Sequence, residues 1–262
     1  MSGEPILDVR EVTKAFGGIL ALNRVSFKVF PGQILGVIGP NGSGKTTLVN
    51  CITGFVRMTS GKVLFKGKNI SKKPAHKIAD LGLTRTFQIM RPYYSLPAYK
   101  NLVIPLFSPR ARRTGGWRGG GKLGDRDTVG IDILEEIGFE RDSFVPYKLA
   151  SSLPTGYLKR LELARCLALK PEMIICDEVF SGLSMSEIAS MVPIIERLRM
   201  DGITLMMIEH RLRELFRVAD RVIVLNFGEK IMEGTPEQVM NDEKVKEAYF
   251  GSEEVEEVMK HA

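Results

Sequence analysis

Residues 39–46 read Gly-Pro-Asn-Gly-Ser-Gly-Lys-Thr, a complete phosphate-binding loop between an apolar run and a stretch of helical character. Residues 33–38, Gln-Ile-Leu-Gly-Val-Ile, predict a buried strand, and residues 47–52 predict a helix that opens at the loop. That strand–loop–helix setting separates a nucleotide loop from a chance glycine-rich turn. The glycines let backbone N–H groups turn inward around phosphate oxygens, and the helix N-terminus adds the positive end of its dipole. The expected nucleotide-binding set is therefore Gly39, Pro40, Asn41, Gly42, Ser43, Gly44, Lys45, Thr46 and Thr47. Lys45 is expected to reach the outer phosphates as a point charge, and the Thr46 hydroxyl to hold Mg²⁺.

A loop of this kind needs a parallel sheet behind it, and the rest of the chain supplies one. Residues 173–176, 203–208 and 221–225 are short apolar runs that suit buried strands; a helical pattern at 158–168 precedes the first and another at 186–200 separates the first two. The first 70 residues differ. Residues 6–12, 25–30 and 61–68 alternate as half-buried strands do, predicting a β-rich region around the loop strand. Residues 91–126 show no clear period, and a helix is expected over 127–138. The expected fold is α/β: a nucleotide-binding core at 1–88 and 166–262, with a mostly helical insertion at 89–165.

Composition narrows the setting. No stretch approaches the ~20 apolar residues of a membrane span, and the N-terminus lacks the basic and apolar regions of a secretory signal. Cys51, Cys166 and Cys176 sit in apolar stretches without metal-ligand spacing, so buried reduced thiols are expected. The net charge is +6, much of it from Arg110, Arg112, Arg113, Arg118 and Lys122 in a glycine-rich stretch. That cluster reads first as a solvated loop, with phospholipid headgroups as the alternative and nucleic acid disfavoured. The last dozen residues read as an acidic tail.

Three further positions bear on chemistry. Asp177 and Glu178 end the apolar run at 173–176, and a parallel strand's C-terminal end is where open α/β sheets bind ligands. Asp177 is expected to hold Mg²⁺ through water, and Glu178 to orient or deprotonate the attacking water. His210 follows another buried strand, where it can bond a γ-phosphate and hold the catalytic carboxylate. Gln88, at the junction of core and insertion, carries little weight alone; its amide offers a ligand to Mg²⁺ or water.

The order of residues 39–46, Gln88, 153–157, Asp177-Glu178, 181–184 and His210 resembles the nucleotide-binding subunit of an ATP-binding cassette (ABC) transporter over nearly the whole chain. Residues 83–88, 208–210 and 247–251 resemble the branched-chain amino-acid importer subfamily. The resemblance implies ATP and Mg²⁺ as ligands, and catalytic roles for Lys45, Gln88, Glu178 and His210. It implies a head-to-tail dimer around two ATP molecules, with a copy of this chain or a paralogue as the second cassette. It also implies separate transmembrane permease subunits, indirect contact with a solute-binding protein, and a peripheral place on the cytoplasmic face of the membrane. Phe16 matches the aromatic that stacks on adenine, and Thr155 and Gly156 lie in the signature segment facing the partner's ATP. Import is the expected direction; a lipid or other exporter, a soluble cassette acting on nucleic acid or ribosomes, and a non-hydrolysing regulatory subunit are the rival readings.

The sequence departs from the family pattern at three places. Leu153-Pro154-Thr155-Gly156-Tyr157 stands where Leu-Ser-Gly-Gly-Gln is usual, Val179 where proline follows the catalytic glutamate, and Ser184 where aspartate is usual. Proline removes both a hydroxyl and an N–H. A weakened signature is expected, beside an intact phosphate loop, Glu178 and His210.

Overall fold

The computed structural model describes residues 3–113 and 125–249. The strands are β1 (Leu7–Phe16), β2 (Ile19–Val29), β3 (Ile34–Ile38), β4 (Ser60–Phe65), β5 (Lys68–Asn69), β6 (Leu83–Arg85), β7 (Met173–Asp177), β8 (Thr204–Ile208), β9 (Arg221–Asn226) and β10 (Glu229–Gly234). The helices are α1 (Lys45–Ile52), α2 (Ala75–Leu81), α3 (Val103–Leu106), α4 (Pro109–Arg113), α5 (Arg126–Glu136), α6 (Thr155–Ala168), α7 (Met185–Met200), α8 (Leu212–Val218), α9 (Pro236–Asn241) and α10 (Glu243–Ala248).

The core sheet has the order β10-β9-β3-β8-β7-β6, parallel from β9 to β6, with β10 antiparallel at the edge. A second sheet, β2-β1-β4-β5, is antiparallel throughout. The expected fold class, a mostly parallel core with an antiparallel N-terminal sheet, is observed.

Strand periodicity explains the layering, because successive side chains of a strand leave on opposite faces. Ile34, Ile38, Ile174, Cys176, Leu205, Met207, Val222 and Val224 face the cluster built with α5, α6, α7 and α8. The alternate residues Leu35, Val37, Ile175, Met206, Ile208, Ile223 and Leu225 face α1 and the antiparallel sheet. Strands buried on both faces read as continuous apolar runs, and these are the runs the sequence displays. All three cysteines are buried and free, as expected.

Capping places the helix starts more sharply than periodicity does. α7 opens on a capping box in which the Ser184 side chain and Glu187 satisfy each other's backbone. α5 opens on Asp125, whose side chain accepts from the Asp127 amide. α6 begins at Thr155, three residues before the apolar period becomes visible at Leu158.

Several elements were not anticipated, among them α2, α8, α9, α10, β6 and β10. The three-residue β6 and the edge strand β10, with its half-exposed face, are too short or too polar to show a period. The basic cluster needs a correction. Arg110 is buried on α4; its guanidinium donates to the Lys170 carbonyl at 2.8 Å and to Glu172 at 3.0 Å. It is a bridge between α4 and the turn that leads into β7, not part of a solvated loop. Arg118, Lys122 and residues 250–262, with all of the predicted acidic tail, lie outside the described residues.

Candidate nucleotide site

The chain turns from β3 into α1 through a loop that only glycine permits at two points. A Cβ on Gly39 would lie 2.1 Å from the Leu225 carbonyl oxygen, and one on Gly44 2.7 Å from that of Ala21. Both residues also take positive φ, +153° and +103°. Gly44 is the N-cap of α1 and no side chain caps the helix, so its first amides face the loop interior. Lys45 is buried and folds back across the loop, donating to the Gly39 carbonyl at 2.6 Å and the Pro40 carbonyl at 3.0 Å. The Ser43 hydroxyl is buried without a hydrogen-bond partner. A buried hydroxyl, a buried ammonium and uncapped amides around one small turn form a donor set that fits a polyphosphate. Thr46 is exposed and Thr47 half-buried at the head of α1.

The end of β7 lies two strands away across the sheet. Asp177 is buried; its amide donates to the Thr86 hydroxyl at 2.9 Å, and its Oδ2 accepts from Arg85 at 2.7 Å. Arg85 also donates to Asn50 Oδ1 at 2.7 Å, and lies over the rings of Phe87 and Phe55 at 4.8 and 5.5 Å. Burial pushes the Asp177 carboxyl above its ordinary range while Arg85 opposes that rise. The same burial lowers the Arg85 guanidinium.

Glu178 brings the other predicted residues together. Its Oε2 accepts from Gln88 Nε2 at 2.9 Å, and its Oε1 lies 3.2 Å from His210 Nε2. Gln88 therefore meets Glu178 through its amide nitrogen; the sequence reading offered its amide to Mg²⁺ or water. Phe16 is 48% exposed at the end of β1, with Lys14 Nζ 4.5 Å from its ring centre, so it is not a core aromatic.

The signature segment is arranged differently. Pro154 is the N-cap of α6 and contributes no side-chain bond. Thr155 is exposed, but Gly156 is buried and its amide is given to the Glu187 carboxylate. A Cβ on Gly156 would lie 2.5 Å from Glu187 Oε1. The Glu187 carboxyl is pulled below its ordinary range by Ser184 first, with Gly156 adding to the effect.

Sequence reasoning gave no role to four residues that hold this site: Asn50, Arg85, Lys159 and Glu209. Lys159 and Glu209 are buried ionisable residues beside Glu178. A lysine among the apolar positions of α6, and a glutamate ending a wholly apolar strand, were the available signals.

The ABC transporter family profile matches residues 22–181, which include the phosphate loop and the end of β7. The chain belongs to the ABC transporter family. It is an ATP-binding cassette that hydrolyses ATP, as the family does. A profile of the branched-chain amino acid ATP-binding cassette transporters matches residues 229–255. Among curated relatives, the high-affinity branched-chain amino acid transport ATP-binding protein LivG of Escherichia coli K12 is 35% identical, covering 95% of this chain and 98% of the relative. BraF of Pseudomonas aeruginosa, of the same description, is also 35% identical over 94% of this chain and 98% of its own. The lipopolysaccharide export ATP-binding protein LptB of Haemophilus influenzae is 32% identical over 95% and 98%. Two solved cassettes of ABC transporters, one nucleotide-free and one in its ADP conformation, superpose with TM-scores of 0.82 and 0.81. Both are 32% identical and cover 95% of this chain and 100% of their own.

Proposed function

We propose that this cassette powers uptake of branched-chain amino acids. The observation that carries this reading is the end-to-end similarity to LivG and BraF, joined to the importer-type match at residues 229–255. Its partners are transmembrane permease subunits and a second cassette, in a head-to-tail pair that sandwiches two ATP molecules. A solute-binding protein acts on it only through the permease. Among the described residues no helix is long and apolar enough to cross a membrane, which fits a peripheral subunit on the cytoplasmic face.

Phe16 stacks on adenine, and the residues from Gly39 to Thr47 cradle the phosphates. Lys45 exchanges its loop carbonyls for phosphate oxygens, a stronger charge-assisted bond. Thr46 and Asp177 are the residues that would hold Mg²⁺, which supplies charge neutralisation on the β- and γ-phosphates. Among the described residues no three His, Cys, Asp or Glu side chains gather to form a metal cage, in keeping with an ion held largely by substrate oxygens. Glu178 polarises the attacking water, while His210 and Gln88 fix its carboxylate from two sides.

An apolar cavity of about 230 Å³ opens beside Gln88, lined by Phe55, Phe87, Ala79 and Leu83 and reaching Arg85. We assign the permease contact to it, because Arg85 runs from that cavity to Asp177.

The test is ATPase activity of the cassette co-purified with its permease partners and reconstituted in liposomes. Stimulation by a leucine-loaded binding protein is expected. Stimulation by lipopolysaccharide instead would favour the export reading that the similarity to LptB allows.

A further inference from the structure

Two buried charged side chains play no part in the steps above. Lys159 is 6% exposed on the second turn of α6, and Glu209 is 2% exposed between β8 and His210. Burying an amine and a carboxyl group in a core that apolar residues could fill is costly unless each makes specific bonds. Both spend their bonds on one short turn. Lys159 Nζ donates to the Glu178 carbonyl oxygen at 2.7 Å. Glu209 Oε1 accepts from the Phe180 amide at 3.0 Å, and the Val179 amide also bonds to this carboxyl group. The Glu178 amide itself donates to the Ile208 carbonyl at 2.9 Å.

The amide and carbonyl of Glu178 and the amides of Val179 and Phe180 are thus each bonded from another element. At the centre, Glu178 takes φ +53°, a left-handed conformation that a non-glycine residue keeps only where its surroundings over-determine it. We infer that Lys159 and Glu209 are positioning residues that hold Glu178 in this left-handed turn, keeping its carboxylate between Gln88 and His210. The inference rests on the reading of Glu178 as the group that polarises water. It has a consequence for the dimer. Lys159 stands on the same helix as Thr155 and Gly156, so a displacement of the α6 N-terminus reaches Glu178 through one hydrogen bond. The helix that meets one nucleotide then orients the carboxylate that serves the other.

The test uses the full chain with Mg-ATP. Lys159→Met is expected to lower kcat by about 10- to 100-fold, in the range of a misplaced general base, with the KM for ATP unchanged. Lys159→Arg, which keeps a cationic donor, is expected to recover most of the loss. In a Glu178→Gln background, Lys159→Met should add nothing, since the two act as a unit. Hydrogen exchange gives a readout independent of turnover: the amides of Val179 and Phe180 should exchange faster in Lys159→Met, and those of α1 should not. If Lys159→Met does not fold, as shown by lost ATP binding, Lys159→Gln carries the same measurements. Wild-type kcat in these variants beside an inactive Glu178→Gln would overturn the inference and leave the role of Glu178 standing. Full turnover by Glu178→Gln would overturn that role itself.

Discussion

In the proposed head-to-tail pair the N-termini of α1 and α6 face the same chemical task, and the chain prepares them differently. α1 opens on glycines, with an uncapped first turn, a buried lysine and a buried hydroxyl without a partner. α6 opens on a proline, and the amide of its second residue is already taken by the Glu187 carboxylate of the same chain. An anion at a helix N-terminus is stabilised by the dipole wherever it comes from. At α1 that anion must be brought in; at α6 the protein supplies one. In the proposed head-to-tail pair the two half-sites would therefore differ in readiness, with the cassette a more complete host for its own nucleotide than for its partner's.

The largest effect tests the α1 side. Glu178→Gln should reduce kcat by roughly 10²- to 10⁴-fold while ATP still binds. Undiminished turnover would remove Glu178 from catalysis and dissolve the idea of a complete half-site. Lys45→Ala should weaken ATP affinity by about 10- to 100-fold, the loss of a charged hydrogen bond worth ~1.5–3 kcal/mol. Equilibrium binding of ATP checks it, and an unchanged affinity would mean that the ammonium stays with its loop carbonyls.

The α6 side predicts a gain. Pro154→Ser restores a hydroxyl and an N–H, so turnover of the chain paired with itself should rise, by about 10-fold at most. Glu187→Gln in the same background should raise it further by removing the competing charge. If neither substitution matters, Thr155 already serves the partner nucleotide and the contrast between the helices is without consequence.

The smallest effect concerns the core beside Glu178. Burial raises the Glu209 carboxyl from 4.5 to about 8; the amides of Phe180 and Val179 and the charge of Lys159 oppose the rise, and Glu178 adds to it. Between those values the folded chain keeps a proton that the unfolded chain has released. Stability should then fall as pH rises from about 4.5 to about 8 and level off above. Thermal unfolding should show a lower Tm at pH 8.5 than at pH 6, and Glu209→Gln should flatten that slope. An equal slope in the variant would place the titration elsewhere.

Much of the nucleotide half-site was legible because its constraints are local. Gly39 and Gly44 take positive φ in the turn they form, which is local, although the carbonyls that leave no room for a Cβ there come from β9 and β2; Asp177-Glu178 mark the end of an apolar strand. The α6 half-site was legible as a departure but not as an arrangement. Nothing in residues 153–157 tells that Glu187, some thirty positions on, would reach back to Gly156. Arg110 was misread for the same reason, since its partners Lys170 and Glu172 lie about sixty residues away.

The sequence by itself determined the family, the parallel core and the glycine-rich loop between β3 and α1, because strand alternation, turn sterics and the loop motif act over a few neighbouring positions. Only the tertiary structure decided which buried charges pair: Arg85 with Asp177, Lys159 with the Glu178 carbonyl, and Glu209 with the turn beyond it. A charge removed from water must find its partner in space, and the chain's topology, not its order, chooses which partner lies within reach.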